Sequence, residues 1–131
     1  MKKPLYIVIL QTDGGIRLQA LESGDEPTLE QLQTLVGGYI ETVPAMYGVM
    51  VINEEGKLFP LPFNANATAM MKNKGLDYIV GDAVLCVPAR NEYGEGILTG
   101  IPRRHAVRIA DSLREGTVSA GGVRGWYQYG T

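Results

Sequence analysis

Apolar and polar positions at the start of the chain follow a strand–turn–strand pattern. "PLYIVILQ" (4–11) is rich in β-branched and aromatic residues, and Asp13-Gly14-Gly15 offers a turn. "IRLQALE" then alternates with period two through Ile16, Leu18 and Ala20, so residues 5–21 predict an opening hairpin. "SGDEP" breaks the pattern as a loop. Thr28, followed three residues later by Gln31, has the form of a capping box, and Leu29, Leu32, Leu35 and Val36 fall on one helical face. In "LVGGYIETV" (35–43) two glycines halt that helix, and an aromatic, β-branched strand starts at once. Gly37 accounts for the stop, since glycine takes the left-handed conformation after a helix without strain. Gly38 has no such local reason.

"YIETV" and "YGVMVIN" predict two further strands, and "NEEGK" (53–57) a hairpin turn with Gly56 suited to positive φ. "LFPLPFNANATAMMK" begins extended, because Pro60 and Pro62 disfavour helix in the residues before them, and becomes a short helix near 67–73 capped by Asn64 or Asn66. "DYIVGDAVLCV" (77–87) predicts a strand bulged at Gly81, and "PARNEYGEGILTG" a loop. Pro102 opens a helix over 102–115. The tail "TVSAGGVRGWYQYGT" is glycine-rich, aromatic and ambiguous. The order β-β-α-β-β-β-α-β-α predicts one α+β domain over residues 1–131, a mostly antiparallel sheet with two to three helices. No internal repeat or interdomain linker interrupts it.

Composition narrows the setting. A chain of 131 residues fits one domain able to bury roughly two-thirds of its unfolded surface, and 45% hydrophobic with 20% charged residues is ordinary for a soluble protein. The net charge of −2 argues against nucleic acid as partner, since such domains usually carry a basic excess. The single cysteine, Cys86, excludes an internal disulfide and fits a reducing cytosol. "MKKPLYIVIL" resembles a signal peptide only briefly: its apolar run is short, it contains Pro4, and polar "QTDGG" follows. No stretch approaches the ~20 apolar residues of a membrane span. The expected location is the cytoplasm, without a membrane partner.

Three segments in order, "LVGGYIETV", "VINEEGKLFPLPFNANAT" and "DYIVGDAVL", resemble a family of small uncharacterised proteins of bacteriophages and mobile elements, a domain of unknown function. Its members share a "VGG.IE" strand, an "NEEGK" turn, an "LP.N" segment and an "IVG" strand. The resemblance covers roughly residues 25–86, and leaves 87–131, a basic helix and an aromatic glycine-rich tail, as this chain's own. It implies a compact α+β fold and a phage or mobile-element origin in a host bacterial cytoplasm. Small phage proteins of this size include inhibitors of bacterial immunity that sequester nucleotide signals such as cyclic ADP-ribose isomers and cyclic oligonucleotides, and the analogy implies that role here.

The residue chemistry favours binding over catalysis. Nucleophilic catalysis needs a base, and His105 is the only histidine. Arg103, Arg104 and Arg108 beside it favour the neutral imidazole, but no carboxylate is evidently placed to orient the ring. One Cys and one His make no usual zinc cluster, no acidic spacing suggests calcium, and no cofactor is expected. Glu54 and Glu55 are expected as a solvated turn pair and Cys86 as a core thiol.

Gly94, Gly96 and Gly100 approach a phosphate loop without matching its spacing. Arg103 and Arg104 sit in the first turn of a predicted helix, where cations oppose the dipole unless a bound anion reverses the sign. A purine needs a flat apolar face and polar groups for its edge. Tyr39 and Trp126 with Asn53, Asn64 and Asp82 can supply both. Gly38 then marks close approach to the backbone, and Tyr39 and Glu41 share the outward side of their strand, which is expected to line a cleft with Asn64 and the arginines near 103. The rival is a plain bulge with Tyr39 over solvent. The expected function is sequestration of a phosphorylated nucleotide-derived signal. The alternatives are a host-takeover or regulatory module that binds a protein, and a hydrolase of the same signal using His105. Trp126, Tyr127 and Tyr129 in the tail predict a homo-oligomer, a dimer or higher.

Overall fold

The computed structural model describes residues 3–22, 24–72 and 77–116. Its elements are β1 (Leu5–Leu10), β2 (Ile16–Ala20), α1 (Leu29–Val36), β3 (Ile40–Pro44), β4 (Val49–Asn53), α2 (Ala65–Ala69), β5 (Ala83–Arg90), β6 (Gly96–Thr99), β7 (Ile101–Pro102) and α3 (Arg103–Glu115). The fold is α+β, with an antiparallel sheet in the order β2-β1-β5-β4-β3, β6 adding to β5 and β7 to β1.

The sheet lies between two apolar layers. Ile7 and Ile9 of β1 pack with Val51, Val84 and Cys86 against Leu32 and Val36 of α1. Val8 and Leu10, their neighbours on the other face, pack with Met50 and Leu85 against Met70 after α2 and Ala106, Ile109 and Leu113 of α3. A strand covered on both faces carries an unbroken apolar run, which is why "YIVIL" shows so little alternation. α3 does show its period: Ala106, Ile109, Ala110 and Leu113 are buried, while Arg104, Arg108 and Asp111 face outward.

The opening hairpin and both long helices form where the pattern puts them. Thr28 caps α1 by accepting from Gln31 N, and Gly37 ends it at φ 81°. Pro102 precedes the first turn of α3, and Gly116 closes that helix at φ 70°. Three expectations are corrected. "LFPLPF" is no strand, since residues 54–60 run through successive turns. Residues 77–82 do not extend β5, because their backbone is claimed elsewhere: Asn64 N donates to Ile79 O at 2.8 Å and Gly81 N to Pro62 O at 2.7 Å. Gly81 itself sits at φ 78° against Leu61. The supposed loop 88–100 is a hairpin. Pro88 pairs with Leu98 in a two-stranded ribbon where only β6 flanks that part of β5 among the described strands, so its missing N–H is tolerated. The tail from 117 onward, with Trp126 and the expectation of an oligomer, lies outside the described residues.

Candidate functional site

The two glycines after α1 do different work. Gly37 N donates to Gln33 O at 2.8 Å and Gly38 N to the same oxygen at 3.1 Å, closing the last turn. Asn53, at the end of β4, then reaches into that terminus. Its Nδ2 donates to Val36 O at 3.1 Å, and its Oδ1 accepts from Glu55 N at 2.8 Å. A Cβ on Gly38 would stand 3.0 Å from Asn53 Nδ2. The group that comes close to the bare backbone is therefore the side chain of Asn53, which satisfies an otherwise open helix carbonyl. Glu54 N donates to Tyr39 O at 2.9 Å and carries the β3–β4 ladder one step further.

Around this junction lies an open hollow of about 350 Å³, lined by Gln33, Gly37, Gly38, Tyr39, Asn53, Glu55 and Phe59. Tyr39 is 67% exposed and Phe59 64%. Large aromatic faces left in water on a small domain mark contact surfaces more often than single aliphatic residues do. The two rings do not stack on one another, and the Glu55 carboxylate makes no hydrogen bond or ion pair among the described residues. The site thus offers two flat apolar faces, two amides and one unpaired carboxylate. Gly38, Tyr39 and Asn53 were legible in the sequence. Gln33, Glu55 and Phe59 were not, since Phe59 fell in a predicted strand and Glu55 in a predicted solvated turn.

The remaining candidates lie apart from it. Glu41 borders a smaller hollow of about 140 Å³ whose floor includes Val43, Ile52, Met71 and Ile79. At its rim Lys57 pairs with Asp77, which holds that carboxyl below its ordinary value, and sits 4.3 Å over the Tyr78 ring. Asn64 lines no cleft. It is fully buried, with Nδ2 donating to Leu10 O and Gly81 O and Oδ1 accepting from Ala67 N. Asp82 accepts from Thr12 N at 2.9 Å and ties the first turn to β5. Arg103 and Arg104 are exposed at the start of α3, which packs on the opposite face of the sheet from α1. The expected cleft joining Tyr39 to these arginines does not exist, because alternation along the strands places the two helices on opposite faces. The glycines near them form no phosphate loop either: Gly94 sits in the β5–β6 turn at φ 80°, and Gly100 is buried against Leu5 and Leu21. Trp126 is outside the described residues.

His105 Nδ1 lies 2.8 Å from the hydroxyl of buried Tyr47. Burial, then Arg104 and Arg108, lower its pKa and favour the neutral ring. Cys86 is fully buried, its thiol pushed up to about 12 by desolvation, so it is no nucleophile in the folded chain. A groove between β2 and α1 is lined by Glu22, Glu26 and Glu30 with Gln19, Gln31 and Thr34, without a cation among its described residues. Among the described residues no group of three or more His, Cys, Asp or Glu is placed to hold a metal, and no helix is long and apolar enough to cross a membrane.

A family model described as "Domain of unknown function (DUF3846)" matches residues 2–113. The match takes in β1, β2 and most of α3, well beyond residues 25–86, so the basic helix is part of the family's domain and not an addition to it. That description assigns no catalytic activity. No curated protein and no solved structure matches the chain.

Proposed function

The chain belongs to the DUF3846 family, a domain of unknown function, and from that premise we propose that it is a non-catalytic binding protein whose ligand is the base of a nucleotide-derived molecule. The observation that carries this reading is the hollow at the end of α1, where Tyr39 and Phe59 expose their rings beside the amides of Gln33 and Asn53. Stacking on an aromatic side chain is worth about 1–3 kcal/mol per base, and a hollow near the small end of ligand clefts suits one ring system rather than a long polymer. Asn53 is held by two hydrogen bonds before any ligand arrives, so its edge is preorganised. Among the described residues Glu55 is the only charged one in the lining, which leaves a ligand's phosphates pointing to solvent and not at Arg103 or Arg104.

The resemblance to phage and mobile-element proteins supplies the setting: withholding a nucleotide signal from a host defence system in the bacterial cytoplasm. Equilibrium dialysis against nucleosides, cyclic dinucleotides and ADP-ribose derivatives tests it, followed by heat denaturation and recovery of the ligand. Intact ligand supports sequestration, altered ligand supports a hydrolase, and no binding removes both. Tyr39→Ala and Phe59→Ala, at unchanged melting temperature, should each weaken binding about tenfold or more.

A second reading has its own observation. Leu58, Phe59, Phe63 and Tyr78 are all about half exposed or more, and Phe63 and Tyr78 touch at 6.3 Å between ring centroids. Such a surface suits a protein partner. It becomes the preferred reading if small molecules fail and a bound host protein is released by Leu58→Asp.

A further inference from the structure

We propose that the hollow selects guanine over the other common bases, and that Glu55 is the residue that makes the choice. The inference rests on the hollow being a base site. Its described lining residues include a single carboxylate, unpaired among the described residues, on a backbone fixed by the bond from Glu55 N to Asn53 Oδ1. An ionised carboxylate only accepts hydrogen bonds, and its two oxygens accept best from two parallel N–H groups. Guanine is the common base that presents two adjacent donors on its pairing edge, N1–H and the 2-amino group. Adenine and cytosine place a bare ring nitrogen beside their amino group, which a carboxylate repels, and uracil flanks its one N–H with two carbonyls.

The amides complete the match. Guanine O6 needs a donor. Asn53 Nδ2 carries two hydrogens, of which one goes to Val36 O, and Gln33 brings a second amide to the same wall. Tyr39 and Phe59 stack any base and so contribute affinity without choice. Specificity falls to Glu55.

The test is titration calorimetry with guanosine, inosine and adenosine on wild type and Glu55→Gln, with melting temperature as the folding control. Inosine keeps N1–H but lacks the 2-amino group. A hydrogen bond to a charged group is worth enough to separate guanosine from inosine by about tenfold, and adenosine should fall further. Glu55→Gln should bring guanosine down to within a few fold of inosine and leave adenosine unchanged. Equal binding of guanosine and adenosine, both abolished by Tyr39→Ala, overturns the guanine assignment while the base site stands. Binding of none of the three nucleosides overturns both.

Discussion

Replacing Asn64 with alanine should be among the most damaging single changes available to this chain. The side chain is 0% exposed and makes three bonds: Nδ2 to Leu10 O at 2.8 Å, Nδ2 to Gly81 O at 2.9 Å, and Oδ1 from Ala67 N at 3.0 Å. They join the end of β1, the 79–81 segment and the start of α2. Each bond is worth about 1 kcal/mol net, and a buried group left unpaired costs about 1–3 kcal/mol. Water entering the vacated space recovers part of that. The expected loss is about 3–5 kcal/mol, a large part of the roughly 5–15 kcal/mol that holds a domain of this kind folded. Urea denaturation followed by far-ultraviolet circular dichroism measures it. Asn64→Asp separates shape from hydrogen bonding, since it keeps the cap acceptor but turns an oxygen toward two carbonyls. Burial raises that carboxyl's folded pKa above its unfolded value, so the variant's stability relative to wild type is highest below about pH 4 and is lost as pH rises through the folded pKa. A loss under ~1 kcal/mol for Asn64→Ala, or no pH dependence for Asn64→Asp relative to wild type, would refute the reasoning.

Cys86, fully buried with its thiol raised to about 12, should resist Ellman's reagent in native buffer and react within minutes in denaturant. His105 has its folded pKa lowered, so the unfolded chain takes up its proton first. Wild-type stability should therefore fall as pH drops below the ordinary histidine value, and His105→Gln should flatten that slope in urea titrations at pH 7 and 5. Gly48→Ala would place a Cβ 2.2 Å from the Cys86 carbonyl oxygen at φ 65° and should abolish soluble expression or cost more than about 3 kcal/mol. Gly37→Ala meets nothing within 4 Å and should cost only the left-handed strain, about 1–2 kcal/mol, by the same denaturation assay.

What the sequence disclosed was local. The cap at Thr28, the stop at Gly37 and the start of α3 after Pro102 depend on residues within a few positions of each other, and all of these are legible. Pro88 hid the β5–β6 ribbon, because proline is tolerated in a strand only when its neighbourhood lacks a further partner, a fact of the sheet and not of the segment. Residues 77–82 look like strand and do not extend β5, since Asn64 takes the Ile79 carbonyl and Pro62 the Gly81 N–H. The site divided the same way. Gly38 and Tyr39 are legible because an unexplained glycine points to a close approach, and Asn53 because a strand end beside a turn presents its polar side chain. The structure separates Arg103 and Arg104 from them, and no spacing along the chain says which face of a sheet a later helix will cover. Phe59 was missed because its exposure is set by the turns of 54–60.

The position of β5 has a consequence for how the chain is made. β1–β2 and β3–β4 are hairpins of neighbouring segments, and in the sheet of described strands they are joined by β5, which pairs Leu85 with Val8 on one side and Met50 on the other. A hairpin closes in about 1–10 μs, whereas synthesis at about 5–20 residues per second delays β5 by seconds after β4 is complete. During that interval the inner edges of β1 and β4 face one another's solvent with "YIVIL" and "VMVIN" bare, the apolar, uncharged kind of strand edge that pairs with other chains. Nascent chains paused between residues 53 and 83 should thus be the aggregation-prone species, and a chaperone that shields them would raise yield more than any stabilising change in the finished fold.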